Sequence, residues 1–435
     1  MTLHNDYQLG GGHDFLETTG AGPPAKDGPK GVAALPKVSS DDLTFWSSQY
    51  MPVLSSLLRH AGSYTSEQQK SHLRFIEKHV LPSVGPRPEN PDGVYMVSHF
   101  GTSTYEASIN LSDKGAPCVR FTFEPPGPQD YGTLESPYQP VSAIAEAIEA
   151  DMEWFNKIAA VFFLDNSECE AVRPMLPPSV ARIPQYLLAF DFNGSKRKMK
   201  AYFCPALKQM STGLDPDTAT LDLVRSLGPD LADSLKAIGE WKSRCAEPLA
   251  IQMIGLDCLA PENGARIKLY TRTESNAFHN IRDHVTLGGQ KTDETTLAGL
   301  KVLAEIWHLL LDEPSGIADP SVSKPVNDET NIWHKAIIYS WELAPGKKLP
   351  EVKVYVPLWQ YSRSNRAIVN NLEEVFKRLD WSWGTEGTYK KTILDTFGDD
   401  VMADGKPMVF THLSFNFSNK GKYISSYVLP PCFRP

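Results

Sequence analysis

Five times along the chain, two short runs of alternating apolar and polar residues flank a turn that contains glycine, and helical stretches separate one such pair from the next. The pairs lie in Val94–Phe123 with Ser112-Asp113-Lys114-Gly115 before its last strand, Tyr186–Phe203 around Asn193-Gly194, and Leu249–Arg272 around Asn263-Gly264. Two more lie in His334–Val356 around Pro345-Gly346 and Val409–Val428 around Asn419-Lys420-Gly421. Alternation with period two marks a strand with one apolar face, and Asn-Gly between two such runs is a strong hairpin signal. A hairpin unit repeated five times implies antiparallel strands joined into one sheet with helices on its outer side. Closing that sheet removes its exposed edges and encloses a cavity.

The intervening stretches read as amphipathic helices: Val141–Leu164, Thr218–Arg244 with a break at Gly228-Pro229, Thr295–Leu311, and Arg366–Trp381. In Thr295–Leu311 the spacing predicts one buried face of Leu297, Leu300, Ala304, Trp307 and Leu311. Ahead of the first hairpin, Leu43–Ala61 has helical spacing after Asp41-Asp42, which read as a cap, and Gly62 stops it. A second helix is expected from Ser66, with Gln69 completing a capping box, to just before Pro82. Residues 1–38, with Gly10-Gly11-Gly12 and Gly20-Ala21-Gly22-Pro23-Pro24, lack apolar periodicity and are expected to form a flexible extension, leaving 39–435 as one barrel domain. At 435 residues the length suits about three domains or one large closed architecture.

Charge and apolar runs narrow the partners. The formal net charge of −9 offers no global attraction to nucleic acid or anionic membrane, so an anion site has to be built locally. No apolar run is long enough to span a bilayer, and the N-terminus has no secretory h-region. The expectation is a soluble, cytoplasmic protein. Its six cysteines, without a Cys-x-x-Cys pair, indicate neither a zinc site nor a disulfide framework.

The second strand of each hairpin carries the chemistry. Period two puts Lys200 with Tyr202, Arg266 and Lys268 with Tyr270, and Lys353 with Tyr355 on single faces, with Ile267 and Leu269 opposite. The fifth hairpin adds Tyr423 and Tyr427, and the first adds Arg120. One Lys-x-Tyr is ordinarily a solvated lysine beside a tyrosine that half covers a sheet. Three in register, in a barrel whose apolar face meets helices, point Lys, Arg and Tyr inward. Inward cations need an anion to justify their desolvation. Arg and Lys suit a diphosphate, and tyrosine faces suit a cation, by about 0.5–2 kcal/mol each. An allylic diphosphate, which splits into both, fits the combination, with the basic groups taking the part that magnesium plays elsewhere.

The first hairpin contains Gly101-Thr102-Ser103-Thr104-Tyr105-Glu106-Ala107-Ser108-Ile109-Asn110. If Glu106 faces inward, its carboxylate can hold an acidic N–H or O–H of an aromatic ring and raise that ring's nucleophilicity. Met96 and His99, ahead of it, are expected to contour the same region. Other chemistries lack their signatures: there is no Walker loop, Gly-x-Gly-x-x-Gly, His-Glu-x-x-His or Gly-x-Ser-x-Gly. His279 and His284, five apart, are poorly spaced for a shared metal, and no metal site is expected.

At these residues, from about 43 to 430, the chain resembles the fungal aromatic (indole) prenyltransferases of the dimethylallyltryptophan synthase family. The likeness also rests on Leu81-Pro82-Ser83-Val84-Gly85-Pro86-Arg87-Pro88, on Arg120 before Phe123-Glu124-Pro125, and on Thr286-Leu287-Gly288-Gly289. It implies a ten-stranded antiparallel β-barrel built from five αββα repeats with helices outside, an α+β fold. It implies metal-independent transfer of a dimethylallyl group from the co-substrate dimethylallyl diphosphate to an aromatic acceptor, most often an indole of secondary metabolism, with no cofactor. By the resemblance Glu106 holds the indole N–H. Arg120, Lys200, Arg266, Lys268 and Lys353 bind diphosphate, and Tyr202, Tyr270, Tyr355, Tyr423 and Tyr427 shield the allylic cation. Leu187 stands where some tryptophan-modifying members carry a lysine, and Ser418 where some carry a basic diphosphate contact, a charge that Lys353 replaces.

Three readings stay open on these residues. The acceptor is an indole-containing metabolite, or a phenol, polyketide or tyrosine treated by the same mechanism, or the barrel binds a phosphorylated or aromatic ligand without turnover. A terpene cyclase is disfavoured by the lack of an aspartate-rich metal motif. The expected partners are small molecules, the aromatic acceptor and the prenyl diphosphate, with neither nucleic acid nor membrane; a homodimer is compatible with this reading.

Overall fold

Each expected turn closes a hairpin. Gly194 and Gly421 sit at φ +56° and +93°, where a side chain is strained, which is why the Asn-Gly and Lys-Gly turns end in glycine. The computed structural model describes residues 38–87, 103–125, 139–175, 185–245, 249–314, 316, 319–327 and 337–429. The expected extension (up to residue 37), Met96, His99 and Cys432 lie outside the described residues.

The ten strands are β1 (Tyr105–Ser112), β2 (Cys118–Phe123), β3 (Tyr186–Asn193), β4 (Lys196–Phe203) and β5 (Ile251–Asp257), then β6 (Ile267–Thr273), β7 (Ile337–Leu343), β8 (Glu351–Pro357), β9 (Phe410–Ser418) and β10 (Gly421–Val428). They pair antiparallel in chain order, and β10 returns to β1, with Ala107 opposite Val428 and Ser112 opposite Tyr423, so the sheet is a closed barrel. The five hairpin turns share one end and the longer connections the other. The outer face is apolar: Phe121, Phe123, Phe190, Phe192, Ile267, Leu269, Tyr339 and Trp341 are buried against the helices. The helix Ser40–Ala61 lays Trp46, Tyr50, Leu54 and Leu58 on this face, and Tyr50 stacks on Tyr105 with ring centroids 3.9 Å apart. None of the helices, among the described residues, is long and apolar enough to cross a membrane.

Local physics shifts some expected boundaries. Asp42 does cap the first helix, reciprocally with Ser39. The second capping box lies one residue earlier than expected: Thr65 accepts from the backbone of Gln68, and Gln68 accepts from that of Thr65. Gln69 instead donates to the carbonyl of Tyr64. The expected helix over 141–164 is two helices, Gln139–Ala147 and Glu153–Phe162, separated where Glu149 takes φ +54°. In Glu294–Leu310 the buried stripe runs through Thr296, Gly299, Leu300, Leu303, Ile306 and Trp307, and Leu297 is exposed, contrary to the expected face. Gly299 explains the rotation. A Cβ there would lie 2.5 Å from the Cβ of Phe417, so the helix turns its smallest residue to the sheet.

Phe190 meets Phe75, Phe121 and Phe123 at centroid distances of 5.3, 5.2 and 6.4 Å. Phe190→Ala is expected to cost about 3–5 kcal/mol, read as a lower urea midpoint at unchanged slope.

Candidate active site

Because the apolar face is spent on the helices, alternate residues of every strand must face inward, and the register decides which of them meet. Arg120 stands opposite Asp191, Lys198 opposite Asp191 on the other side, Lys200 opposite Asp257, and Lys268 opposite Glu342. Ion pairs follow these ladders. Asp191 lies 2.9 Å from Arg120 Nε and 2.5 Å from Lys200 Nζ. Asp257, fully buried, accepts from Lys198 at 2.7 Å and from Arg266 Nε at 2.6 Å, with Lys268 at 3.6 Å. Glu342 accepts from Arg266 Nη1 at 2.9 Å and lies 3.8 Å from Lys268. The protein thus supplies part of the counter-charge that the sequence reading assigned entirely to a ligand. The six inward cations Arg120, Lys198, Lys200, Arg266, Lys268 and Lys353 still outnumber the carboxylates Asp191, Asp257 and Glu342 that pair with them, and Glu351, also on the cavity wall, is paired with Lys291.

Lys353 is the exception to the pairing. Among the described residues no carboxylate lies within ion-pair distance of it; its Nζ rests instead 4.4 Å from the centroid of Tyr423 and 5.5 Å from that of Tyr355. Arg120 lies over the same Tyr423 ring, 5.5 Å from its centroid. These cations, with Lys347, Ser418, Asn419 and Lys420 at the hairpin-turn end, line a cavity of about 590 Å³. That is the size of a small-molecule site.

Towards the other end the tyrosines close ranks. Tyr202, Tyr270, Tyr355 and Tyr427 follow one another at centroid distances of 6.0, 6.0 and 6.1 Å, all lining the cavity. Gly255 makes this possible. A Cβ there would sit 2.8 Å from Tyr202 Cδ1 and 3.2 Å from Tyr270 Cε2. Tyr423 does not join this chain and stays among the cations. Beyond the tyrosines Leu187 packs with Tyr202, Met253 and Leu429, an apolar patch at the end where Glu106 lies on β1. Glu106 accepts a hydrogen bond from the Thr411 hydroxyl of β9. Among the described residues, the cations, the tyrosines and Glu106 singled out in the sequence are therefore inside the barrel: the five cations together with Tyr423, four tyrosines in a row, and Glu106 apart from the cavity wall.

The functional residues missed in the sequence are Asp191, Asp257, Glu342, Lys198, Gly255 and Thr411. A signal existed for the acids. Phe190-Asp191-Phe192 and Trp341-Glu342-Leu343 place a lone carboxylate between two outward aromatic or aliphatic residues on the first strands of their hairpins. For Thr411 no sequence signal exists.

Against known proteins, the model of the family described as tryptophan dimethylallyltransferase matches residues 42–392. The chain belongs to that family. It is an aromatic prenyltransferase. It is 37% identical over 410 residues to an indole diterpene prenyltransferase (terF) of Tolypocladium album, covering 89% of this chain and 93% of that one. It is 34% identical over 406 residues to an indole prenyltransferase (tdiB) of Emericella nidulans, covering 89% and 95%. The crystal structure of NotF in complex with brevianamide F and DMSPP superposes with a TM-score of 0.72 at 22% identity, covering 90% of this chain and 95% of that one, a likeness of fold.

Burial sets the ionisation of the site. It lowers Lys200 to about 7, with Asp191 opposing and Arg120 and Lys268 adding to the shift. It also holds Lys353 well below the ordinary lysine value, helped by Arg120, Lys268 and Lys200. Burial alone would raise Asp191 and Asp257, but the cations around them hold both well below the usual carboxylate range. Burial raises the carboxyl of Glu106 to about 7, and Thr411 opposes the rise.

Two outcomes follow. A diphosphate seated among these cations raises the pKa of Lys200 and Lys353, so its binding at pH 8 takes up protons, and the uptake by Lys200 fades below about pH 6, where Lys200 already carries its charge. Calorimetry in buffers of different ionisation enthalpy reads this directly; a binding enthalpy independent of buffer at pH 8 contradicts it. Gly255→Ala is expected to displace Tyr202 and destabilise the fold by roughly 1–3 kcal/mol, measured by urea unfolding.

Proposed function

We propose that the protein transfers a dimethylallyl group from dimethylallyl diphosphate to an indole held by Glu106. The C–O bond to the diphosphate breaks and its electron pair leaves with the diphosphate, whose charge Arg120, Lys200, Arg266, Lys268 and Lys353 receive. The allylic cation sits against the faces of Tyr202, Tyr270, Tyr355 and Tyr427, with Tyr423 at the diphosphate side. A ring carbon of the indole supplies the electrons of the new C–C bond, and loss of that carbon's proton restores aromaticity. Glu106 accepts the indole N–H, which turns the ring toward the cation and enriches it. The phenols remain neutral through this cycle, since burial raises Tyr202, Tyr270 and Tyr427 above the ordinary tyrosine value.

One observation carries the reading: a cation cluster with excess positive charge and a titratable carboxyl stand at opposite ends of a tyrosine-lined barrel interior. A site built to bind a phosphorylated ligand without chemistry has no need of the tyrosine row or of the carboxyl beyond it. For the acceptor, we favour an indole that carries an apolar terpenoid rather than free tryptophan. Leu187, Met253 and Leu429 make the Glu106 end apolar, and the relative at 37% identity is named an indole diterpene prenyltransferase.

The test is product analysis by mass spectrometry with dimethylallyl diphosphate, excess EDTA, and indole terpenoid, tryptophan, tyrosine and phenol acceptors. A prenylated indole terpenoid in the presence of EDTA is expected; a product from tyrosine or phenol alone would overturn the indole assignment. Glu106→Gln is expected to lower kcat by about 10²–10⁴-fold while diphosphate affinity stays within about twofold. Unchanged turnover in that variant removes Glu106 from its role.

A further inference from the structure

We propose that Thr411 is a positioning residue for the reaction, placed at Glu106 by an irregularity in β9 rather than by the alternation of the strand. This inference rests on the role of Glu106 given above. Opposite β10, Ser426 pairs with Leu413, and two residues further along β10 Val428 pairs with Phe410, so β9 spends two residues, Thr411 and His412, where β10 spends only Tyr427. This is a β-bulge, which re-aims a side chain. Without it Thr411 would share the outer face with Leu413 and Phe415, both buried against the helices. With it, the Thr411 hydroxyl reaches across β10 and donates to Glu106 Oε1. The bulged position lies against the last tyrosine of the row, so one backbone irregularity puts Thr411, Tyr427 and Glu106 together.

The hydroxyl does two things there. It holds one carboxyl oxygen and leaves the other for the N–H of the acceptor. It also favours the ionised form of Glu106, against burial that disfavours it. The adjoining strands also carry Tyr427 and, further along, Tyr423 and Lys422 on β10, His412 beside Thr411 on β9, and Cys118 and Arg120 on β2, Arg120 two positions from Thr122, the residue that stands opposite Glu106.

The experiment compares Thr411→Val, Thr411→Ser and Glu106→Gln with the unaltered protein, using dimethylallyl diphosphate and the indole terpenoid acceptor of the product analysis. Thr411→Val is expected to lower kcat/KM for the acceptor about tenfold at pH 7 and to move its rising pH limb up by about one unit, with KM for the diphosphate unchanged. Thr411→Ser, which keeps the donor, is expected to restore both. A difference infrared titration of the ligand-free protein, with Glu106→Gln as the subtraction, follows the Glu106 carboxyl without turnover and gives the same shift. A Val variant with an unmoved titration and pH limb overturns the proposal, and so does a Ser variant as impaired as Val. If Glu106→Gln itself turns over normally, the role of Glu106 fails, whatever Thr411 does to its titration.

Discussion

The interior of this barrel depends on a ladder of buried ion pairs. A cation taken out of water costs several kcal/mol even after relaxation, and removing one member of a buried pair leaves its partner uncompensated. Asp191, Asp257 and Glu342 each bridge cations from neighbouring strands, so the guanidinium and ammonium groups stand in position before any ligand arrives. Preorganised charge of this kind contributes most to a reaction that develops negative charge, since nothing has to reorient when the diphosphate leaves. The carboxylates are fewer than the cations, and the surplus gives an anion its reason to bind.

Closure of the sheet is what allows such an interior. A flat sheet would have to leave its charged face in water, where the pairs are worth little, or cover it with helices that could not satisfy it. In the closed barrel the apolar face meets the helices, and the polar face meets only itself and whatever enters the cavity. The tyrosine row then divides that interior into a charged end and an apolar end. Gly255 is part of the same construction, because two neighbouring rings occupy the space a side chain would take.

Burial drives the two ends in opposite chemical directions. It disfavours charge in both cases, bringing the Lys200 ammonium down and the Glu106 carboxyl up to about 7. At the charged end a bound anion restores the ammonium. At the other end a neutral hydroxyl opposes the rise, so Glu106 keeps a carboxyl that titrates near neutrality and can serve as a hydrogen-bond partner for an aromatic N–H. Leu187, packed on Tyr202, Met253 and Leu429, keeps that end of the interior apolar, in line with the acceptor proposed above.

Much of this was legible in the residues alone. The five turn signals and the alternation between them imposed antiparallel pairs, and three Lys-x-Tyr strands assigned cations and tyrosines to a common face, because period two acts within a single strand. Resemblance to a family extended that to the barrel and to Glu106. What the alternation leaves open is which strand lies beside which and in what register. Asp191 meets Lys200 within one hairpin, but Asp257 meets Lys198 from 59 residues away and Glu342 meets Arg266 from 76. Gln68 rather than Gln69 closed the second cap, and Gly299 against Phe417 set the rotation of a helix so that Leu297 faces out, both through packing of the whole. Thr411 shows the limit most clearly. Its place beside Glu106 depends on one extra residue in β9, and a bulge arises from how closing strands share their twist and register, which only the assembled barrel decides.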